Sequence, residues 1–98
     1  MLLCTAGALN GQAFVVEPDG IYIGRDEELS QVVVRDARVS KRHLRILPRG
    51  GKVYAIDQGS TNGTFLGDPA GERVTEVPLK RGDVLVLADG VAAFTFQI

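Results

Sequence analysis

The chain has 98 residues, enough for one domain around one core and too few for two. Hydrophobic residues make up 45% and Cys4 is the single cysteine, which excludes disorder, an internal disulfide framework and a multi-cysteine metal site. Net charge is −1, no apolar run approaches the roughly 20 residues of a membrane span, and Met1-Leu2-Leu3-Cys4 has neither the basic start nor the length of a signal peptide. A cytoplasmic domain without a membrane role or a cofactor is expected.

Turn signals come every few residues and no stretch carries a helical period. Leu2 to Thr5 and Ala13 to Val16 read as strands joined through Asn10-Gly11, a favoured hairpin pair. Pro18-Asp19-Gly20 marks a turn before Ile21-Tyr22-Ile23. Glu27 to Gln31 is polar and reads as a loop, and Gln31 to Val34 as a short β-branched strand. Leu44 to Leu47 is expected to stop at Pro48-Arg49-Gly50-Gly51, with Val53 to Ile56 as its hairpin partner. Phe65-Leu66 follows a glycine-rich segment, and Gly67 to Gly71 is a further loop. Short apolar pieces lie around Pro78, which belongs at an edge or a turn. Val84 to Leu87 is a continuous apolar run, as for a strand covered on both sides. The end alternates, with Ala92, Phe94, Phe96 and Ile98 on one face and Thr95 and Gln97 on the other. Many short strands with frequent turns describe an all-β sandwich or barrel.

Polar residues concentrate in three places: Gly24-Arg25, Ser40-Lys41-Arg42-His43, and Gly59 to Thr64. Seven of the eleven Lys and Arg fall between Arg35 and Lys52, with Asp36 the one acid among them. A concentrated basic segment in a near-neutral chain suits a local anionic ligand, or else a solvated strand face that resists aggregation. Ser40, His43 and Asp57 invite a hydrolase reading. Residues three apart on a strand point to opposite faces, however, and no G-x-S-x-G elbow exposes a nucleophile. A nucleic-acid reading is weakened because all six aromatics lie outside the basic window and the overall charge is slightly acidic. The Asn62-Gly63-Thr64 and Arg81-Gly82-Asp83 tripeptides read as accidental matches, and no lysine follows Gly63 as a P-loop requires.

A phosphate uses these residues together. It carries about −1.5 to −2 charge and three acceptor oxygens, and calls for an Arg fork, hydroxyls and exposed loop N–H groups. Arg25, Ser40 and Thr61 supply the side chains, and Lys41 adds positive charge. Asn62 has both donor and acceptor for an extended peptide's main chain, and Gly63 permits the positive φ of an Asn-Gly turn.

In order along the chain, Gly24-Arg25, Ser40-Lys41-Arg42-His43 and Thr61-Asn62-Gly63 closely resemble the motifs of the forkhead-associated (FHA) domain. The intervals match, as do the Ile21-Tyr22-Ile23 lead-in and the Leu79-Lys80-Arg81-Gly82-Asp83 turn, so the resemblance covers essentially residues 1–98. It implies a two-sheet antiparallel β-sandwich of about eleven short strands that binds phosphothreonine peptides with loops at one end. On matching positions, Arg25, Ser40 and Thr61 would contact the phosphate with Lys41 assisting, and Asn62 would hold the peptide backbone. Gly24, His43 and Gly63 would brace the loops. Arg38 occupies a position that in some relatives reads the residue three after the phosphothreonine. One departure is that Leu66 to Gly71 replaces the second Asn-Gly of many relatives. The resemblance implies a non-catalytic recognition module within a longer signalling protein, served by an upstream Ser/Thr kinase. The alternative is phosphate-independent protein association on the same fold.

Overall fold

The structure, a computed structural model, describes residues 1–97. The last member of the C-terminal alternation, Ile98, lies outside the described residues. Eleven strands form in chain order: β1 (Leu2–Ala6), β2 (Ala13–Phe14), β3 (Ile21–Gly24), β4 (Val32–Val33), β5 (Leu44–Arg49), β6 (Lys52–Asp57), β7 (Thr64–Leu66), β8 (Glu72–Arg73), β9 (Glu76–Pro78), β10 (Val84–Leu87) and β11 (Ala92–Phe96). They make a six-stranded sheet, β2-β1-β11-β10-β7-β8, and a five-stranded sheet, β4-β3-β5-β6-β9. Every assigned pairing is antiparallel except β3 with β4, where the chain doubles back through residues 25–31 and Val32 pairs beside Ile23 in parallel.

Alternation accounts for the core. Leu2, Cys4, Leu85, Leu87, Phe94 and Phe96 point inward from one sheet, and Ile21, Ile23, Leu44, Ile46 and Ala55 from the other. Outward positions of the same strands, such as Tyr22, Arg45 and Thr95, stay half-exposed. Val86, on the outward side of β10, is also buried, in line with the continuous apolar run. Cys4 is a small core residue, and burial raises its thiol pKa.

Two turns differ from expectation. Pro48 lies inside β5, opposite Val53, and the turn is Gly50-Gly51 alone, with φ of +61° and +80°. Two positive φ values make the mirror-image turn that suits strand twist. Arg49 and Lys52 flank it as the hydrogen-bonded pair, so Pro48 falls at the next, non-hydrogen-bonded pair. Its missing N–H faces away from β6, on the side that β3 leaves open after Ile21 pairs with Ile46. The β1–β2 connection is not a two-residue Asn10-Gly11 turn either. Residues 7–12 form a longer loop closed by Gly11 N–H to Cys4 O (2.9 Å) and Cys4 N–H to Gln12 O (2.8 Å).

Register gathers the loops. Ile23 at the end of β3 pairs with Leu44 at the start of β5, which pairs with Asp57 at the end of β6. Thr64 at the start of β7 pairs with Leu87 at the end of β10. Segments 25–31, 34–43, 58–63 and 88–91 therefore meet at one end of the sandwich. The chain ends lie at the other, where Leu2 pairs with Phe96 and Gln97 N–H donates to Met1 O (2.8 Å).

Candidate functional site

Ser40 joins the three polar segments. Its carbonyl accepts from Arg25 N–H (3.0 Å), its Oγ accepts from Thr61 N–H (3.2 Å), and its own N–H donates to His43 Nδ1 (3.0 Å). The hydroxyl thus accepts from inside the protein and keeps its proton to donate outward. Arg25 Nε donates to Val39 O (2.9 Å), which aims the fork. Among the described residues, no hydrogen bond occupies the Arg25 Nη groups, the Thr61 hydroxyl or the Lys41 ammonium, and all three residues are exposed. Asn62 Nδ2 donates to Arg38 O (2.8 Å), tying the third segment to the second and leaving the amide oxygen available.

Backbone shape explains the two glycines. Gly24 has an ordinary φ, but a Cβ there would run into the Lys41 carbonyl and come within 2.6 Å of Ser30 Oγ. Lys41 O is meanwhile held by Asp26 N–H (3.2 Å) and Ser30 Oγ–H (3.0 Å), so this close approach seats the Ser40–Lys41 corner on β3. Gly63 needs its φ of +83°, and its carbonyl accepts from both His43 Nε2–H (2.8 Å) and Ala88 N–H (2.8 Å).

His43 is fully buried, and its two ring nitrogens bridge the loops. Since Nδ1 accepts from Ser40 and Nε2 donates to Gly63, the ring is the neutral Nε2–H tautomer. Burial lowers its pKa below the usual 6.5, and the Arg73 cation adds to this, against the opposing effects of Gly63 O and Asp57. Ser40, His43 and Asp57 do not form a triad. Ser40 turns its backbone toward the imidazole, and Asp57 is taken up by Ser60 Oγ (2.6 Å), Ser60 N–H (2.9 Å) and Thr64 Oγ1 (2.9 Å).

That carboxylate network is what sequence reasoning missed. Ser60 and Thr64 are buried, and Ser60 Oγ also accepts from Gly63 N–H (3.1 Å), so Asp57 sets the loop that carries Thr61 and Asn62. Arg73 reinforces it from β8 by donating to Ser60 O (3.0 Å). The Asp57-x-x-Ser60 spacing, with a short polar side chain able to bond backbone three residues on, was the available signal.

The basic window does not fold into one patch. Arg35 pairs with Glu27 (2.8 Å) and Arg49 with Glu76 (3.0 Å). Arg38 gives Nε and Nη2 to Asp36 and Nη1 to Asp89, each at 3.0 Å. The two carboxylates raise the Arg38 pKa, and Arg38 lowers that of Asp36. Beside this cluster lies a cavity of about 180 Å³ lined by Arg38, Asn62, Phe65, Pro69, Ala88 and Asp89.

A β-sandwich that collects polar, hydrogen-bond-braced loops at one end, with cationic and hydroxyl donors facing outward, defines a loop-borne recognition module. The FHA domain family model matches residues 21–88. The chain belongs to the FHA family. It is 38% identical over 78 residues to the FHA domain-containing protein FhaB of Mycolicibacterium smegmatis, covering 80% of this chain and 50% of the relative. A structure solved in work on phosphothreonine-dependent FHA domain interactions superposes with a TM-score of 0.83 at 30% identity, over 99% of this chain and 93% of the other. The FhaA FHA domain, solved in complex with the intracellular domain of Rv3910, gives a TM-score of 0.80 at 31% identity, over 96% and 94% of the two chains. The chain spans about half the length of the first curated relatives it matches.

Proposed function

We propose that this FHA domain is a non-catalytic module that binds phosphothreonine-containing peptides. The observation that carries the reading is Ser40: one residue bonds the backbones of Arg25 and Thr61 and leaves their side-chain donors facing outward together. In this reading Arg25, Ser40 and Thr61 take the phosphate oxygens, Lys41 adds charge, and Asn62 holds the peptide main chain. Gly24, His43 and Gly63 fix the loops, and Arg38 borders the neighbouring cavity. In this reading an upstream Ser/Thr kinase writes the mark, and the module works in the cytoplasm. Residues 1–98 act as one binding unit of a longer protein, in keeping with a relative of which the matched region covers 50%.

The test is calorimetric titration of one peptide carrying phosphothreonine, phosphoserine, glutamate or threonine in turn. Phosphothreonine binds; glutamate, with a single planar charge and two oxygens, falls below detection. Phosphoserine lacks one methyl, which a pocket discriminates by about 10- to 200-fold. Arg25→Ala removes a charge-assisted bond worth roughly 1.5–3 kcal/mol, a loss of at least about tenfold, and Ser40→Ala and Thr61→Ala each weaken binding by less. Equal affinity for threonine and phosphothreonine would establish phosphate-independent association instead.

A further inference from the structure

Below the loop cluster, on the outer face of the five-stranded sheet, Tyr22 of β3 pairs with Arg45 of β5. Two guanidinium groups gather on this one ring: that of Arg42 lies 4.4 Å from the centroid and that of Arg45 5.2 Å. Neither has a carboxylate partner among the described residues, whereas Arg35, Arg38 and Arg49 all do. Arg45 is poorly bonded for a guanidinium, with one long contact from Nη2 to Asp19 O (3.3 Å) and a covered Nε that has no acceptor. The ring attracts each cation but does not cancel their mutual repulsion. The fold therefore holds two forks without a carboxylate against one ring. Such a pair fits an anion with three acceptor oxygens. Tyr22 is half-buried and already carries both guanidinium groups, so it is a poor stacking platform for a base.

We propose that Arg42 and Arg45, stacked on Tyr22, form a second anion subsite for a further phosphorylated residue of the same peptide. This rests on the phosphothreonine reading, since Arg42 follows Ser40 and Lys41 directly and connects the two places. The subsite adds a selectivity for doubly marked ligands.

The experiment titrates a phosphothreonine peptide against versions bearing a second phosphate, or a glutamate, at a series of spacings on either side. The wild-type domain gains roughly tenfold or more in affinity at one preferred spacing. Arg42→Gln, and Arg42→Gln with Arg45→Gln, abolish that gain and leave the singly phosphorylated peptide unaffected. An equal gain from glutamate identifies carboxylate as a second source of the same anion. No gain at any spacing, or a gain that survives both variants, overturns the subsite. So does a single-stranded oligonucleotide that displaces the doubly phosphorylated peptide on equal terms. Failure of the singly phosphorylated peptide to bind counts against the phosphothreonine reading, not the subsite. In that case the backbone amide resonances of Tyr22 and Arg45 decide: shifts on adding the doubly phosphorylated peptide support the subsite, and silence overturns it.

Discussion

His43 ties the loop end of the molecule together through two backbone contacts, and the one from Ser40 requires the neutral ring. A proton added to Nδ1 would face the Ser40 N–H and break that contact. Because the folded-state pKa lies below 6.5, the unfolded chain takes up the proton first. Stability is therefore complete above about 6.5 and falls as pH drops from there toward the folded-state value. Thermal melts of the unliganded domain across this range check the direction, free of the ligand's own titration near pH 6. His43→Ala leaves Ser40 N–H without its acceptor. An unsatisfied buried donor costs about 1–3 kcal/mol, so the variant melts earlier and binds more weakly through loosened loops. An equally stable variant that bound nothing would make His43 a ligand contact instead. Ala88 is the one non-glycine with positive φ among the described residues, at +54°, and its N–H holds Gly63 O. Ala88→Gly relieves strain of about 1–2 kcal/mol, partly offset by the freer unfolded chain. Chemical denaturation is expected to give equal or slightly higher stability.

At the scale of loops and strands, the contact between β3 and the Ser40–Lys41 corner depends on the absence of a side chain at Gly24. Gly24→Ala pushes that corner away, lowering stability and weakening phosphopeptide binding together, which paired melts and titrations would register. The Arg38 loop points to a different flanking preference from the one its charge suggests alone. With the guanidinium engaged by Asp36 and Asp89, an acidic peptide residue would have to displace a carboxylate. The cavity beside it offers Phe65, Pro69 and Ala88, and an oriented peptide library is expected to favour an apolar residue there. Asp89 was not foreseeable as a partner of Arg38, because 51 residues separate them. The same holds for Arg73 and Ser60. The strands that read clearly, β3, β5, β6, β10 and β11, have side chains that follow their own burial. The edge strand β8, Glu72–Arg73, is exposed at both positions and is defined only by its pairing with β7. Pro48 misled because a missing N–H stops a strand only where a neighbour needs it. The residues with outward-facing donors, Arg25, Lys41 and Thr61, were legible since their chemistry lies in the side chains themselves, while the Asp57 network behind them is a product of folding.

For the molecule as a whole, the two sheets act as a rigid frame whose loops, not strands, differ in chemistry from one end to the other. The four gathered loops lie at one end and both chain termini at the other, so attachments at the termini leave the proposed site uncovered. The pairing of Leu2 with Phe96 and of Met1 with Gln97 also has a mechanical consequence. β1 and β11 run antiparallel with the two ends of the chain side by side. A force that draws those ends apart opens the ladder one rung at a time, never loading several hydrogen bonds in parallel. Pulled from its termini, the domain is therefore expected to unzip at low force, and an optical-trap measurement would record it. Pulled instead between one terminus and a ligand held at the loops, the load runs along the strands, and the same sandwich resists more strongly.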